Sequence, residues 1–346
     1  MKYTELSEFQ AKTLIDAKQL YQAVLSARRE IAAYQGSMHW KTVSGGAYLI
    51  KSVRGAQRGI GPRSPETEAI YRAFVNGKES AQAQAKSLAR RVFEHARVCR
   101  AAQINRVPVT PSKILRILDS HGLLGKKLLV IGTNALFAYE AASGVLFDSA
   151  VMATADFDLM MDVRAKIKIA VSEKMPEGGL MALLKKADSS FVPVYERGFR
   201  ARNRDGYFVD IVKPEPAPPR RDEPSNLAPG DTLEASLIKS LKWLLSSPRF
   251  SDVALGADGF PVPIICPDPR AYALHKIWMA SEMDRDPLKK GRDRAQAIAV
   301  ASMVVDRLPH LRFSADDLRN FPKEITNIVD DGEIERLARS FGFSWH

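Results

Sequence analysis

The sequence contains little cysteine, no long apolar run and no run of five or more like charges. Its two cysteines, Cys99 and Cys266, stand far apart, and neither has a CxxC motif or a Cys/His cluster nearby. This spacing argues against a disulfide framework and against a zinc site. The apolar runs fall well short of the roughly 20 residues that a membrane-spanning helix needs. The N-terminus has Glu5 and Glu8 and lacks the apolar segment of a secretory signal, so we expect a cytoplasmic protein without a membrane partner.

What the sequence does contain is a core-forming composition and an uneven distribution of charge. Its 346 residues are 45% hydrophobic and 26% charged, which is ordinary for a globular protein. Residues 1–130 hold 22 Lys and Arg against 9 Asp and Glu, whereas the rest of the chain holds 29 against 31. A basic module beside a near-neutral one indicates a polyanion partner, with nucleic acid as the first candidate. The alternative is a solvated surface that is rich in Lys and Arg.

The N-terminal part has the pattern of a long helix followed by a β-hairpin. Apolar residues recur at helical spacing over residues 5–34, which predicts one helix. Two β-type segments, 39–43 and 47–53, flank a Ser-Gly-Gly sequence at 44–46. Because glycine tolerates the positive φ of a tight turn, this arrangement predicts a hairpin.

A stretch rich in glycine and arginine at 54–63 follows the hairpin and predicts a basic loop. It is not a phosphate-binding P-loop, because no Gly-Lys-Ser/Thr ends it. Ser64 before a proline then predicts the start of a helix that continues to about residue 102. Trp40 and Tyr48 suit base stacking, and packing beneath the hairpin is an equally good alternative. The candidate nucleic-acid contacts are the cations of the hairpin and loop, Lys41, Lys51, Arg54, Arg58 and Arg63.

Short β-branched runs and helical patches alternate over residues 126–212, and a proline cluster then interrupts the chain. Six of the 20 prolines fall within residues 214–229, which predicts a stiff extended connection rather than a helix or an inner strand. Three helices are predicted after it, over residues 233–245, 269–283 and 293–308.

A strand-to-helix turn in the middle of the chain is a candidate phosphate site. Residues 126–131 predict a buried strand and residues 135–142 predict a helix. Between them, Gly132 and Thr133 can present backbone N–H groups at the helix N-terminus, where phosphate is favoured. Such turns are common, and an ordinary helix cap is the alternative.

Two further segments place three aspartates in apolar surroundings. Residues 154–161 predict a strand on which Asp156 and Asp158 share one face, about 6.6 Å apart. Two such carboxylates repel one another unless a cation lies between them, and Mg²⁺ prefers this kind of ligand. Asp210 lies in another strand pattern at 207–212, where pairing or a metal would balance its charge. The alternative is that the first two are edge-strand charges and the third caps a strand end.

The order of strand, Gly-Thr turn, helix, Asp-x-Asp strand and strand with a third Asp resembles the DNA polymerase β-like nucleotidyltransferase superfamily. The resemblance implies that Asp156 and Asp158 hold two Mg²⁺ ions and the triphosphate of an NTP. Asp210 would bind the catalytic metal and help to activate the attacking hydroxyl. Gly132 and Thr133 would cradle the β- and γ-phosphates. Thr133 replaces the usual serine of the family, and the 23 positions from Thr133 to Asp156 exceed the minimal motif.

The C-terminal third resembles bacterial nucleotidyltransferases of the AbiEii toxin type, which carry a helical lysine and a later aspartate. Lys276 and Asp293 look like these two residues, which places Lys276 on the triphosphate. The alternatives are that Lys276 extends to solvent from a packed helix and that Asp293 caps the helix after it. Segments 36–41 and 61–68 are also similar to those of an uncharacterised bacterial branch of the superfamily.

The sequence as a whole predicts an α/β (α+β) protein with a mixed-sheet nucleotidyltransferase core. We expect a basic region at 1–120, the core at 121–230 and a helical domain at 231–346. The implied reaction is Mg²⁺-dependent transfer of a nucleoside monophosphate from an NTP to a hydroxyl acceptor, with release of pyrophosphate. RNA is the favoured acceptor because of the basic region, and a tRNA end is one candidate. Transfer to a protein or small-molecule hydroxyl, and nucleic-acid binding without catalysis, are the alternatives; an antitoxin or other protein partner is left open.

Overall fold

The structure is a computed structural model that describes residues 3–43, 45–164, 175–216, 225–228, 230–313 and 323. Over these residues the chain is a mixed α/β protein with four separate sheets, which agrees with the predicted fold class. The N-terminal elements are β1 (Tyr3–Glu5), α1 (Glu8–Ala33), β2 (Ser37–Val43), β3 (Gly46–Val53), β4 (Ala56–Pro62) and α2 (Pro65–Ala101).

Both predicted N-terminal helices are confirmed, and α2 begins at the predicted cap. α1 starts with a capping box between Ser7 and Gln10. α2 starts at Ser64, whose side chain accepts a hydrogen bond from the Thr67 N–H. The predicted hairpin is also confirmed as β2 and β3, which pair antiparallel.

The prediction of a basic loop at 54–63 is wrong, because most of this segment is strand β4. β4 pairs antiparallel with β3 and completes a three-stranded sheet. Arg54 and Gly55 form the connecting turn with φ angles of 49° and 85°, the left-handed geometry of a two-residue hairpin turn. Gly55 therefore belongs to the turn and Gly59 to strand β4. Pairing with β3, rather than the local preference of the sequence, makes this segment a strand.

α1 and α2 form a helical hairpin, which together with the sheet β2–β3–β4 we call the arm. Near one end, Leu14 and Cys99 pack in one apolar cluster with Leu255 of the C-terminal part of the chain. At the other end, Tyr34 packs against Phe74 with ring centroids 5.8 Å apart. Phe74 and Cys99 are 25 positions apart in one helix, which corresponds to about 37 Å. The sheet therefore lies at the end of the arm remote from that cluster.

The central part of the chain forms the largest sheet and confirms the predicted strands and helix. Strands form where they are predicted, at 126–131, 154–161 and 207–212, and a helix forms at the position predicted for one, 135–142. The central elements are α3 (Val109–Ser120), β5 (Leu128–Ile131), a 3₁₀ turn (Gly132–Ala135), α4 (Leu136–Ser143), β6 (Val145–Phe147), α5 (Ser149–Met152), β7 (Asp156–Met161), α6 (Gly179–Ala187), β8 (Val192–Pro193), β9 (Arg200–Arg202) and β10 (Phe208–Pro214).

The central sheet has the strand order β5–β7–β10–β9–β8. β7 runs parallel to β10 and antiparallel to β5, so the sheet is mixed. Of the predicted proline connection, Pro214 ends β10 and Pro216 follows it. The remaining four prolines, Pro218, Pro219, Pro224 and Pro229, lie outside the described residues.

The C-terminal part contains strands as well as the expected helices. Its elements are β11 (Ser236–Ile238), α7 (Leu241–Ser246), β12 (Arg249–Leu255), β13 (Pro261–Pro267), α8 (Pro269–Ser281) and α9 (Pro287–Arg307). The helix predicted over 233–245 is wrong in its first half, because β11 adds to β10 as a parallel strand. β12 and β13 form an antiparallel hairpin within the region that we expected to be helical. Residues 314–322 and 324–346 of that region lie outside the described residues.

The central sheet is buried on both faces, and this burial positions the site. Leu128 and Val130 of β5 belong to the larger apolar core, whereas Leu129 and Ile131 belong to a second core with residues of α7 and α8. Since side chains alternate along a strand, one face packs on each core. None of the described helices is both long enough and apolar enough to cross a membrane.

Candidate active site

Three of the predicted carboxylates lie side by side on the sheet face that α7 and α8 cover. Asp158 of β7 is directly opposite Asp210 of β10 in the parallel register, and Asp156 precedes Asp158 by two positions on the same face. Phe157 and Leu159 point to the opposite face and are buried in the larger core. This is the arrangement that alternation along the strand predicts.

The carboxylates repel one another. The pKa of Asp158 is raised from 3.8 to about 7, mainly by burial and in addition by the negative charges of Asp156 and Asp210. The positive charges of Lys276 and Arg200 act in the opposite direction without restoring the ordinary value. A carboxylate cluster in which the charged form is disfavoured is one that a divalent cation would stabilise.

The Gly-Thr turn lies directly beside Asp158. β5 pairs with β7 so that Ile131 is opposite Asp158, and Gly132 follows with a φ of 65°. A Cβ atom at Gly132 would overlap the Asp158 oxygen Oδ2, so both the backbone angle and the available space require glycine. Thr133 is buried, and its Oγ1 accepts a hydrogen bond of 3.0 Å from Gln296 Nε2. The hydroxyl that we assign to phosphate is therefore also bonded to α9.

Asp210 is held by an arginine that sequence analysis did not identify. Arg200 of β9 is the direct cross-strand partner of Asp210, and it donates two hydrogen bonds of 2.7 and 2.6 Å to the two carboxylate oxygens. Its guanidinium also lies 4.9 Å from the ring centroid of Phe208 and 5.5 Å from that of Phe199. These contacts fix Arg200 at the side of the carboxylate cluster.

The donor set fits a magnesium site in its chemistry, although Asp210 is engaged by Arg200. Hard carboxylate oxygens on neighbouring strands are the ligands that Mg²⁺ prefers. Over the described ranges, however, no three carboxylate, imidazole or thiol groups come together as a ligand set. Asp156 and Asp158 are thus the two side chains that could hold a metal directly, and Asp210 would join them on leaving Arg200.

Cations line the opposite side of the same cavity, which has a volume of about 250 Å³. Lys276 Nζ donates to Asp293 Oδ1 at 2.7 Å, and Arg285 donates to Asp293 Oδ2 at 2.7 and 2.8 Å. Burial raises the pKa of Asp293, but the charges and hydrogen bonds of Lys276 and Arg285 outweigh it and hold the pKa below its usual value. Besides Arg200 on the carboxylate side, the cations that line the cavity are Lys276, Arg285, Lys289 and Arg292.

The structure contradicts the alternative roles that the sequence left open for Lys276 and Asp293. Lys276 is buried and does not extend to solvent from its helix. Asp293 is not a helix cap, because α9 begins at Pro287 with Asp286 as its N-cap. Asp293 instead lies fully buried on the helix face that meets α8, where its carboxylate positions two of the cavity's cations.

Apolar side chains and an imidazole from two helices form another part of the cavity lining. Leu241 and Leu244 of α7 and Met279 of α8 line it together with His275. Burial, and secondarily the charge of Lys276, lower the pKa of His275 to about 3, so the imidazole is neutral at pH 7. Its buried Nε2 has no hydrogen-bond partner in the part of the chain that the structure describes.

The five cations predicted to contact nucleic acid lie in the arm, and none is among the described residues that line the cavity. Lys51 Nζ lies 5.4 Å from the ring centroid of Phe74. Arg63 packs over the ring of Trp40 and pairs with Glu68 at 2.7 Å, so packing is the role that the contacts give Trp40. Four of the five are exposed, namely Lys41, Arg54, Arg58 and Arg63.

Sequence analysis missed several cavity residues, and only some had a signal. Lys289 and Arg292 follow one another at helical spacing in a basic segment, which predicts a charged helix face. Arg200 had no such signal, because only the strand register brings it to Asp210. Gln296 had none either, since its partners come from distant parts of the chain.

The chain is similar to a known protein family and to a solved structure. A crystal structure of an antigenic nucleotidyltransferase-like protein from Paracoccidioides brasiliensis matches 67% of this chain and 92% of that chain, at 17% identity and a TM-score of 0.34. No curated protein matches the chain. A family model described as nucleotidyltransferase matches residues 110–319, more than half of the chain and every residue of the cavity. The chain therefore belongs to this nucleotidyltransferase family and is an enzyme of that class.

Proposed function

We propose that this enzyme catalyses the Mg²⁺-dependent transfer of a nucleoside monophosphate from an NTP to a hydroxyl acceptor. One observation carries the proposal, namely that carboxylates line one side of a single cavity and cations line the other. A metal-bound triphosphate needs both, because its metal takes hard oxygen ligands and its phosphate oxygens take cationic donors. The opposed groups are Asp156, Asp158 and Asp210 on one side and Lys276, Arg285, Lys289 and Arg292 on the other.

The metal ligands would be Asp156 and Asp158, joined by Asp210. Two bound Mg²⁺ ions would supply charge stabilisation at the attacking and leaving oxygens of an in-line displacement. Burial and the neighbouring negative charges raise the pKa of Asp158, which supports this role, because a bound cation stabilises the charged form of the carboxylate. Arg200 keeps Asp210 neutralised until the carboxylate is needed.

The chain's own groups would carry the remaining steps. The cations of α8 and α9 hold the triphosphate, with Gly132 and Thr133 beside its β- and γ-phosphates. The acceptor oxygen attacks the α-phosphorus while the bond from that phosphorus to the bridging oxygen breaks, and pyrophosphate leaves with the electron pair. We assign Asp210 the acceptance of the hydroxyl proton. Lys276 and Arg285, held by Asp293, balance the charge of the leaving pyrophosphate.

The apolar end of the cavity is our candidate for the sugar and base. Leu241, Leu244 and Met279 offer apolar contact. His275 is neutral at pH 7 and has an unpartnered buried nitrogen, so it offers a hydrogen bond rather than a charge.

RNA is the acceptor that we favour. The support is the excess of Lys and Arg in residues 1–130, which the structure places largely outside the cavity, in and near the arm. On this proposal residues 1–120 bind the acceptor, and residues 121–230 with 231–346 hold the nucleotide and carry out the transfer. Transfer to a protein or small-molecule hydroxyl remains the second candidate.

The experiment is a label-transfer assay with the purified full chain. Each α-³²P NTP is incubated in turn with Mg²⁺ and either total RNA or total cell protein as acceptor. Asp158→Asn is the test variant, and Asp205→Asn, at an exposed position in the turn before β10, is the matched control. We expect label in RNA with the wild type and Asp205→Asn and none with Asp158→Asn.

The outcomes separate the candidates. Label in protein alone, lost in Asp158→Asn, would replace RNA by the second candidate. Label that persists in Asp158→Asn would remove the carboxylate cluster from the mechanism. An absence of label with every NTP, together with tight RNA binding, would favour a binding protein on this fold.

A further inference from the structure

One face of the arm sheet packs on α2 and the other faces away from it, and the strand register shows which residues lie on each face. Trp40 and Leu49 are cross-strand partners, and Leu49 is fully buried. Trp40 lies 6.0 Å from Tyr71 of α2, measured between ring centroids. Because cross-strand partners share a face and side chains alternate along a strand, this is the face that packs on the helix. Lys51 is on it and covers the ring of Phe74.

The opposite face, which we call the outer face, carries His39, Lys41, Tyr48 and Ile50. Lys41 and Tyr48 are direct cross-strand partners, and so are His39 and Ile50. The Tyr48 side chain is 39% exposed, and Lys41 is exposed beside it. An aromatic ring with a cation directly across the strand pair thus points away from the helix.

The arm sheet is also free of negative charge. Residues 31–65, between Glu30 and Glu66, contain no Asp or Glu, although 40 of the chain's 346 residues are acidic. Arg54 in the β3–β4 turn is exposed at the edge of the outer face. Arg58 on the edge strand β4 is exposed as well, but it is the cross-strand partner of Lys51 and therefore belongs to the packed face. The local potential is therefore positive and favours a polyanion.

We propose that the outer face, with Arg54 at its edge, binds single-stranded RNA and so holds the acceptor of the transfer reaction. This inference rests on the proposed function. One base stacks on Tyr48, with His39 and Lys41 beside it, and neighbouring phosphates contact the cations. An exposed ring beside cations suits a strand with unpaired bases better than an acidic peptide, which needs the cations alone. Duplex RNA hides its base faces, so it gains only the cationic contacts.

The proposal narrows the set of contacts that the sequence predicted. Lys51 is on the packed face, and Arg63 is paired with Glu68 and covers Trp40. Arg58 shares the face of Lys51. The proposal therefore keeps Lys41 and Arg54 as the phosphate contacts and takes Tyr48 rather than Trp40 as the stacking residue. The nucleotide cavity shares no residue with this surface, so variants of the outer face leave the nucleotide site intact.

The test measures binding of a fluorescein-labelled 20-nucleotide single-stranded RNA to the full chain by anisotropy, in EDTA and without NTP. Tyr48→Ala should weaken binding about 5- to 150-fold, and Tyr48→Phe should bind like the wild type, because the ring supplies the contact. Lys41→Ala should weaken binding and reduce the log–log salt slope by about 0.7. The matched controls are Tyr195→Ala, at a tyrosine that is 74% exposed, and Lys113→Ala, at an exposed lysine of α3; both should bind like the wild type.

Two results would overturn the inference. One is equal RNA affinity of Tyr48→Ala and the wild type. The other is equal affinity for single-stranded RNA, for duplex RNA of the same length and for poly-glutamate, which would identify a general polyanion surface. Because no transfer is needed, the outcome is separate from that of the label assay. Label in protein combined with Tyr48-dependent RNA binding would refute the RNA acceptor while leaving the outer face as an RNA site.

Discussion

Replacing Asp158 by asparagine should make the metal-free protein more stable at pH 8, although it removes a residue that we assign to catalysis. The pKa of Asp158 is about 7 in the folded chain, against an ordinary 3.8. Between these values the folded protein holds a proton that the unfolded chain has released. Stability therefore falls as the pH rises from about 4 to about 7 and stays low above pH 7. A difference of about three pH units corresponds to about 4 kcal/mol, which is an upper limit because water enters the cavity.

The assay is urea unfolding in EDTA at pH 5 and pH 8. We expect the free energy of unfolding of Asp158→Asn to exceed that of the wild type by about 1–4 kcal/mol at pH 8. At pH 5 the difference should be smaller. Asp205→Asn, at an exposed carboxylate, should follow the wild type at both values. The reasoning is refuted if Asp158→Asn and the wild type lose the same free energy of unfolding between pH 5 and pH 8.

Magnesium provides a second and independent readout of the same repulsion. Millimolar Mg²⁺ at pH 8 should raise the unfolding free energy of the wild type, because the ion binds the folded state and neutralises its carboxylates. Asp158→Asn should gain much less. Equal gains in the two proteins would place the ion elsewhere.

The remaining predictions concern the residues around this cluster. Lys276→Met leaves the buried Asp293 with one cation and should lower the free energy of unfolding in urea by about 3–5 kcal/mol. The double variant with Asp293→Asn should recover a large part of that free energy. No recovery would contradict the pairing of the two residues. Gly132→Ala should lower the melting temperature and raise the KM for NTP. Alanine is strained at a φ of 65°, and its Cβ would meet the Asp158 carboxylate. A variant with the melting temperature of the wild type would contradict this reasoning. Arg200→Met should tighten Mn²⁺ binding without NTP by about tenfold in calorimetry, because it releases Asp210 from two charged hydrogen bonds; unchanged affinity would show that Arg200 does not compete with the metal.

Local patterns predicted most of the elements correctly where the deciding interactions are close in sequence. Ser64 before a proline marked the start of α2, and the glycines at 45 and 46 marked the hairpin between β2 and β3. The errors fall where a distant strand decides the structure. Residues 236–238 were expected to be helical, and they form β11 because β10 offers a free parallel edge to them.

The candidate site was predictable in its residue types and only partly in its geometry. Alternation along β7 placed Asp156 and Asp158 on one face, but no local signal gives the register that sets Asp158 against Asp210. The same limit applies to charge. The count of Lys and Arg indicated a basic region, but it could not show that Lys51 covers an aromatic ring of α2 while Lys41 faces solvent.

One buried glutamine explains how the two sides of the cavity keep their spacing. Gln296 of α9 is fully buried, and its Nε2 donates to Thr133 Oγ1 at 3.0 Å and to the Val151 carbonyl at 2.9 Å. Its Oε1 accepts a hydrogen bond of 3.1 Å from the Tyr272 hydroxyl of α8. The glutamine therefore joins the Gly-Thr turn to α8 and α9, the two helices that carry cations of the cavity. Since an unpaired buried amide costs about 1–3 kcal/mol, separating the two sides is unfavourable. The cavity is thus set to its width before the nucleotide arrives, and binding energy is left for the reacting groups rather than for closing the site.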